Sequence, residues 1–342
     1  MLHDVGVRSQ GPVWVGGDVL GHTAVRTHRI AVIETDDELL AVVLPYLREG
    51  IAEGDLTVAL LAPRTAALVR DAVPGVEVYE HGPSTPREPD SIEAQSRFLA
   101  TAVGQGRRLR MLGQVRERSR RVWDERVRGE LAHEHVFTDC GMASLCVYDR
   151  RTTPPEVLAE ALLVHAEQLV GGEVRPVPGH RSPAELAAEL PVPEEPVQRT
   201  VPVLVVDPAT SLPALRHRLR DALVGRLGSA AADDDAHLAA SEIAANAFRH
   251  GGGQVSARVW ADADRVVVTI SDGGHTFDGR LAGYRPAHGE DLSRGGMGMW
   301  LARKLCDHVD TEQTAAGFTV RLTTAVSPVR AEAGSCAHRS VA

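Results

Sequence analysis

The sequence predicts an α/β protein with two domains. Short apolar runs typical of strands alternate with helical patterns over most of the chain. A segment at residues 173–200 carries a proline every few residues, which excludes a continuous helix or a central strand there. The chain of 342 residues is also long enough for two hydrophobic cores. We therefore predict a Pro-rich linker at 173–200, between domains at 26–172 and 201–326.

The first domain is expected to be an open, mostly parallel sheet with helices on both faces. A helical pattern that opens with acidic residues lies between two short apolar runs, which is the order of a βαβ unit. The same alternation continues towards the linker. The strand-type runs are 29–34, 56–62, 107–115 and 143–151, and the helical patterns are 36–54, 120–137 and 154–172.

The second domain has a different order of elements. A strand is followed by two helices, a β-hairpin around an "ADAD" turn, a long polar loop, a helix opened by glycines and a final strand. The acidic run "ADDDA", 232–236, places negative charge where the second of these helices begins. Residues 1–25 and 327–342 lack clear periodicity, and we expect them to be flexible.

Composition excludes several classes of protein. The net charge of −9 argues against a nucleic-acid binder, and no apolar run approaches the ~20 residues of a membrane-spanning helix. Since the N-terminus lacks a signal-peptide core, we expect a cytoplasmic protein. Lys304 is the only lysine, which excludes a P-loop, a Schiff-base enzyme and a protein kinase of the usual type. The cysteines include no CxxC pair, so neither a disulfide framework nor a zinc knuckle is predicted.

Two polar residues interrupt an alanine-rich helix in "SEIAANAFRHGGG", residues 241–253. Glu242 and Asn246 are four positions apart, so they project from the same face of the helix. Asn is a poor helix former, and burying its amide without a partner costs about 1–3 kcal/mol. A Mg²⁺ ion shared with substrate phosphates would satisfy Asn246, and Glu242 would act as a base beside it. Taken alone, the pair also fits a solvated stripe on an amphipathic helix.

Two later segments favour the same chemistry. Asp272 follows an apolar strand and precedes two glycines, so its carboxylate can accept a hydrogen bond from a base amine while Gly274 permits close approach. Gly296 and Gly298 open a helix, whose backbone N–H groups can hold phosphate. Each motif is weak alone, but the three in this order and spacing are much more specific.

Together with "GFTV" at 317–320, these motifs resemble the GHKL fold, the ATP-binding fold shared by gyrase, Hsp90, histidine kinases and MutL. Within it, "LAASEIAANAFRHG" and "GGMGMWLARKLCDHV" are most similar to the bacterial anti-sigma-factor serine/threonine kinase branch. The resemblance covers about residues 200–325. It implies an α/β sandwich, with helices on one face of a mixed sheet and ATP between that sheet and a mobile lid at 275–294.

The resemblance also assigns roles to single residues. It implies that Glu242 is the catalytic base, that Asn246 binds Mg²⁺ and that Asp272 contacts adenine. The chain departs from the family at Thr276, where glycine is expected, and at Met299, where leucine is more usual. Neither change removes a predicted ligand. The other cofactor-binding residues that the resemblance implies are Gly274, Gly296, Gly298 and Thr319.

The first domain resembles a second family. His28 at a strand start, "CVYD" at 146–149 and "LLVHAEQL" around His165 are similar to the MEDS sensory domain, over roughly residues 26–172. That resemblance implies a RecA-like core without a functional P-loop, and a sensor of an undefined small molecule. It implies a ligand or metal site at His28, Cys146 and His165. The alternative is that Cys146 and His165 are packed core residues.

The two resemblances together predict a signal-responsive regulator that uses ATP and Mg²⁺. We expect a serine/threonine protein kinase that phosphorylates an anti-sigma antagonist and binds a sigma factor, without nucleic acid or membrane as a direct partner. A homodimer is expected by resemblance only. Two alternatives stay open. One is a sensor histidine kinase that phosphorylates itself, with His165 as an acceptor, and the other is a non-catalytic switch in which ATP alone sets the affinity for a protein partner.

Overall fold

The computed structural model describes residues 27–81, 87–116, 120–138, 140–275, 277, 279–286 and 297–326. The chain forms two compact units, of which the first ends at Pro191 and the second begins at Val192, and residues 284–286 belong to the first unit. The ends predicted to be flexible and residues 287–294 of the predicted lid lie outside the described residues. Within the described part, no helix has both the length and the apolar character that crossing a membrane requires.

A seven-stranded sheet forms the centre of the first unit. Its strands are β1 (Thr27–Ile33), β2 (Leu56–Leu61), β3 (Glu77–Glu80), β4 (Leu109–Gln114), β5 (Met142–Asp149), β6 (Glu167–Val170) and β7 (Glu173–Pro176). They lie in the order β3-β2-β4-β5-β1-β6-β7, and all neighbours are parallel except β6 and β7 at one edge. The mostly parallel sheet predicted from the alternation of elements is confirmed.

Helices cover both faces of this sheet. They are α1 (Asp36–Ala52), α2 (Pro63–Ala72), α3 (Glu88–Gly104), α4 (Arg120–Val136) and α5 (Pro155–Val164), followed by the short α6 (Pro183–Glu189). Side chains that alternate along β1 show the arrangement, because Ile30 packs with α4 and α5 whereas Ala31 packs with α1. The central strands are therefore largely buried on both sides, as expected of a parallel sheet, whereas β3 and β7 at the edges are mostly exposed.

The prediction of a helix at 154–172 was wrong for the second half of this range. α5 ends at Val164, and the residues after it form β6 and β7. Gly171 and Gly172 join these two strands with φ angles of 59° and 84°, the backbone that a tight hairpin turn requires. The segment predicted as a linker therefore begins inside the sheet. β7 tolerates Pro176 because it is a short edge strand.

The second unit contains a five-stranded sheet and three helices among its described residues. The strands are β8 (Leu204–Val206), β9 (Ser256–Ala261), β10 (Arg265–Asp272), β11 (His308–Thr314) and β12 (Gly317–Ala325), and the helices are α7 (Leu212–Leu223), α8 (Ala230–His250) and α9 (Gly298–Leu305). The strand order is β11-β12-β10-β9-β8, and every neighbouring pair is antiparallel. The resemblance implied a mixed sheet, and that expectation is therefore wrong. Each pair is either a hairpin or is joined through elements that return the chain in the opposite direction.

The three helices pack on one face of this second sheet. Ala240 and Ile243 of α8 are buried in one core cluster with Val259 and Val268 of the sheet. The opposite face carries a 3₁₀ turn, Pro196–Arg199, which belongs to the segment predicted as a linker. The helix-covered face is the one on which the predicted ATP-site helix lies.

One carboxylate fixes the turn that leads into α8. Asp233 is buried and accepts hydrogen bonds at 2.6, 3.3 and 3.0 Å from the three consecutive backbone N–H groups of residues 225–227. The N-cap itself is Ser229, so the acidic run lies inside the helix rather than capping it. The position of α8 therefore depends on a charged acceptor held by backbone donors.

We expect Asp233→Ala to lower the free energy of unfolding by about 2–3 kcal/mol, because hydrogen bonds to a charged, buried acceptor are lost. The matched control is Asp235→Ala, which removes the same group two residues away at an exposed position of the same acidic run. Urea unfolding of the full chain measures both changes. Equal stability of the two variants would show that Asp233 does not hold the turn.

Candidate functional site

Glu242 and Asn246 lie one turn apart on the flank of α8. The buried side of this helix is formed by alanines and Ile243, which leaves the two polar side chains half-buried beside it. The Glu242 side chain is 33% exposed, and Nη2 of Arg216 lies 4.0 Å from its Oε1. Hydrogen bonds among the described residues include none to the Asn246 carboxamide. Both polar groups are therefore free to meet a ligand.

Asp272 lies at the end of the same helix. It is the last residue of β10, and its carboxylate packs against Gly251, the residue after α8, where any side chain would collide with it. The N–H of Gly274 donates to Asp272 Oδ1 at 2.7 Å. This bond holds the carboxylate in place and leaves Oδ2 for another donor, such as the amine of a base.

Gly298 brings the start of α9 beside Asn246. A Cβ atom built on Gly298 would lie 2.5 Å from Asn246 Nδ2 and 3.5 Å from the carbonyl oxygen of Glu242, so only glycine allows this approach. α9 begins without a side-chain cap, and its first backbone N–H groups are available to an anion. The structure thus groups Glu242, Asn246, Asp272, Gly274 and Gly298.

Two predicted cofactor-binding residues are not part of this group as described. Gly296 lies outside the described residues. Thr319 lies on the other face of the sheet, where its hydroxyl forms a 2.8 Å hydrogen bond with the hydroxyl of Ser271. Its neighbour Phe318 points into the helix-covered core instead. The roles assigned to Gly296 and Thr319 stay predictions.

Sequence reasoning missed the importance of Gly251 and its neighbours, although the run "GGG" at 251–253 carried the signal. A Cβ on Gly253 would lie 3.3 Å from the Cα of Gly273, and a Cβ on Gly273 would lie 3.3 Å from the carbonyl oxygen of Gly252. The turn after α8 therefore packs backbone against backbone with the residue after Asp272. Three consecutive glycines permit this close approach.

The first unit brings the predicted sensor residues together. His28 on β1 and Cys146 on β5 lie two positions apart along the parallel strand pair and share the face covered by α4 and α5. His165 follows α5, and Glu130 of α4 is a fourth member. Their potential ligand atoms all lie within 4.8 Å of one another. His165 and Glu130 are 0% exposed, and Cys146 is 8% exposed.

Glu130 was missed because the sequence of α4 is so rich in charge that it resembles a solvent-facing helix. In the structure its Oε1 accepts hydrogen bonds from the Tyr148 hydroxyl at 2.7 Å and from Nη2 of Arg126 at 2.5 Å. Burial acts to raise the pKa of Glu130, but Arg126 and then His28 outweigh it and hold that pKa well below its usual value. Glu130 is therefore a buried carboxylate in its charged form.

The other three residues have environments that suit different protonation states. Burial acts to lower the pKa of His28, but hydrogen bonds with Cys146 and with two carboxylates outweigh it and raise that pKa well above its usual value. Burial, and then the neighbouring His28, lowers the pKa of His165 to about 3. Burial and the Glu130 carboxylate raise the pKa of the Cys146 thiol. His165 is thus a neutral, enclosed imidazole.

Comparison with known proteins identifies a family for each unit. Residues 204–324 match the histidine kinase-like ATPase domain, and residues 27–166 match MEDS, the methanogen/methylotroph DcmR sensory domain. Both resemblances found in the sequence are therefore confirmed. The ATPase match begins with β8, ends one residue before the end of β12 and includes every described residue of the group around α8.

Three similar proteins are serine-protein kinases named RsbW. The protein of Bacillus velezensis is 34% identical over 113 residues, which cover 30% of this chain and 70% of the relative. That of Bacillus licheniformis is 33% identical over 114 residues, with the same coverage of 30% and 70%. That of Bacillus subtilis is 37% identical over 101 residues, which cover 26% of this chain and 62% of the relative.

We expect Gly251→Ala to weaken ATP binding about 10- to 100-fold, because the added methyl group displaces the Asp272 carboxylate and loses a hydrogen bond to a charged group. The backbone of Gly251 has φ −73°, which alanine adopts without strain. Gly104→Ala is the matched control, since a Cβ there meets nothing within 4 Å. Calorimetric titration with ATP measures both, and unchanged affinity in Gly251→Ala would contradict this geometry.

Proposed function

Because this chain belongs to the family of the RsbW serine-protein kinases, we propose that it transfers the γ-phosphoryl group of ATP to a serine of an anti-sigma antagonist and also binds a sigma factor. The MEDS domain in front of the ATPase domain regulates this activity as a sensor of a small molecule. The observation that carries the proposal is the grouping of Glu242, Asn246 and Asp272 along one helix. All three side chains are only partly buried.

Asp272 is the residue suited to recognise adenine. One carboxylate oxygen is held by the N–H of Gly274, and the other can accept a hydrogen bond from the exocyclic amine. The backbone around Gly251 and Gly273 leaves no side chain between the carboxylate and the end of α8. A flat base can therefore approach Asp272 closely.

The phosphate end of the site uses backbone donors rather than lysine. Lys304 is the only lysine of the chain, and its ammonium lies 5.6 Å from the centre of the Trp300 ring, one helical turn and more beyond Gly298. The first N–H groups of α9 are the donors that face Asn246. In-line transfer then depends on positioning and on charge stabilisation.

Asn246 fits a bound Mg²⁺ ion. Its carboxamide is half-buried, lacks a hydrogen-bond partner among the described residues and lies beside the glycine that opens α9. Its oxygen is the type of ligand that Mg²⁺ prefers. When bound, the ion would neutralise phosphate charge.

In this proposal Glu242 acts as the general base. It lies one turn from Asn246, and its carboxylate is exposed enough to reach the hydroxyl of an incoming protein substrate. Arg216 stands 4.0 Å away, which is beyond a direct hydrogen bond, so the carboxylate oxygens stay available. In this proposal Glu242 orients the acceptor serine and takes its proton as the phosphoryl group is transferred.

The position of His165 argues against a histidine kinase that uses it as acceptor. An acceptor histidine must be reached by the γ-phosphate of ATP, whereas His165 is 0% exposed and its Nδ1 lies 2.7 Å from the Ala161 carbonyl oxygen.

A switch without catalysis would use the same ATP site. Only an assay of phosphotransfer therefore distinguishes such a switch from a kinase.

We expect ATP to bind the wild type more tightly with Mg²⁺ than without it. Asn246→Ala should remove most of that difference, and Asp272→Asn should weaken binding about 10- to 100-fold in both conditions, because hydrogen bonds to charged or metal-bound groups are lost. Asp264→Asn, in the exposed turn between β9 and β10, is the matched control. Calorimetry on the full chain gives the affinity of each of the four proteins with and without Mg²⁺. A folded wild type that does not bind ATP would refute the ATP site.

We expect Glu242→Gln to lower the rate of phosphotransfer about 10²- to 10⁴-fold while ATP affinity stays the same, because the amide cannot accept the proton. The assay uses labelled ATP, the full chain and candidate anti-sigma antagonists. Acid-stable label on the added protein supports the serine kinase.

Other patterns of label decide between the remaining functions. Acid-labile label on the chain itself would indicate a histidine kinase. Tight ATP binding without any label would indicate a switch. Full activity of Glu242→Gln would remove the base role from Glu242 and leave the ATP site intact.

A further inference from the structure

Four buried side chains in the first unit are arranged as the ligands of a metal ion. His28 and Cys146 come from neighbouring strands, Glu130 comes from the helix above them, and His165 lies just beyond α5. Four elements that are far apart in sequence therefore direct one ligand atom each to a single point. This cluster lies in the first unit and shares no residue with the group around α8.

The distances between the ligand atoms match tetrahedral coordination. His28 Nε2 lies 3.3 Å from Glu130 Oε2, and Cys146 Sγ lies 3.5 Å from that oxygen and 3.6 Å from that nitrogen. Bonds of about 2.0 Å to nitrogen and oxygen and about 2.3 Å to sulfur place tetrahedral ligands about 3.3 Å and about 3.5 Å apart, respectively. The fourth atom, His165 Nε2, lies 4.0 Å from Glu130 Oε2, which a small side-chain rotation would close.

Outer hydrogen bonds orient three of the four ligands towards the centre. Glu134 Oε2 lies 2.8 Å from Nδ1 of His28, and the Ala161 carbonyl oxygen lies 2.7 Å from Nδ1 of His165. When these Nδ1 atoms donate, both Nε2 atoms keep a lone pair that points inward. The outer oxygen of Glu130 is held by Tyr148 and Arg126, so its Oε2 also points inward. Such second contacts are typical of metal ligands.

One buried nitrogen atom of the cluster needs a partner that the described residues do not supply. His165 Nε2 is buried and has no hydrogen-bond partner in the part of the chain that the structure describes. A buried polar atom without a partner costs about 1–3 kcal/mol. A bond to a metal ion would satisfy it, and the same ion would stabilise Cys146 as a thiolate.

We propose that His28, Glu130, Cys146 and His165 bind one Zn²⁺ ion inside the first domain. A set of one thiolate, two imidazoles and one carboxylate suits a borderline-soft divalent ion with tetrahedral geometry, and does not suit Mg²⁺ or Ca²⁺. All four positions are filled by protein, as in closed zinc sites. The proposal goes beyond the kinase function and does not depend on it.

The test measures Zn²⁺ bound to the full chain after loading and removal of excess metal. We expect one Zn²⁺ per chain in the wild type and in Cys140→Ser, and less than about one-tenth of that in Cys146→Ser. Cys140 is the matched control because it is a cysteine of the same unit that lies outside the cluster. Co²⁺ loading gives a second readout, since a thiolate-to-cobalt absorption band should appear in wild type and Cys140→Ser but not in Cys146→Ser.

A graded variant tests the outer contacts. Glu134→Gln keeps the shape of the side chain beside His28 but removes its charge, and it should weaken Zn²⁺ binding about 10- to 100-fold in competition with a chromophoric chelator. ATP affinity and far-UV circular dichroism report whether each variant folds, and ATP affinity should not change. A folded wild type that takes up neither Zn²⁺ nor Co²⁺ would overturn the proposal. Full Zn²⁺ stoichiometry in Cys146→Ser would also overturn it, because the ion would lie elsewhere.

Discussion

Close packing of α8 against its sheet is the constraint on which the second unit depends. Ala239, Ala240 and Ala244 are 0% exposed and form most of the buried side of the helix. Side chains this small let the helix axis lie close to the strands. The polar flank of the helix, with Glu242 and Asn246, therefore lies near the strand ends, where Asp272 is. A bulkier buried face would raise that flank away from the Asp272 carboxylate.

Glycine allows similarly close packing where α8 meets its neighbours. Gly251 and Gly298 stand at places where a Cβ atom would collide with Asp272 or Asn246. The side chains proposed to bind ATP and Mg²⁺ therefore pack against backbone at both ends of the flank. The first unit differs, because it buries a charged carboxylate and two imidazoles next to one another. Groups of that kind are stable inside a protein only when partners satisfy them.

The fold and the grouping around α8 could be predicted from the sequence to a large extent, because both depend on local patterns. Glu242 and Asn246 share a face through helical spacing alone, and the strand before Asp272 is a clear apolar run. The direction of Thr319 could not be predicted, since a shift of one residue in a strand reverses the face on which a side chain lies. The helix at 154–172 was predicted too long because its apolar spacing hid the hairpin around Gly171 and Gly172.

Glu130 shows a different limit of sequence reasoning. Its helix is charged on most sides, and only the fold shows that one carboxylate of that helix enters the core beside His28, more than a hundred positions earlier. Long-range proximity of this kind leaves no periodic signal in the sequence. The histidines and the cysteine were found by resemblance, but the carboxylate that completes their cluster was found only in three dimensions.

The single lysine has a practical consequence for the chemistry of this protein. Lys304 lies in α9, the helix that Gly298 opens, and no other side chain of the chain carries a primary amine. Acetylation or an amine-reactive fluorophore would therefore modify the side chains of the protein at one position. That position lies on the helix whose first turn faces the phosphate end of the proposed ATP site. One fluorophore attached there would follow movements of this helix without interference from labels on other side chains.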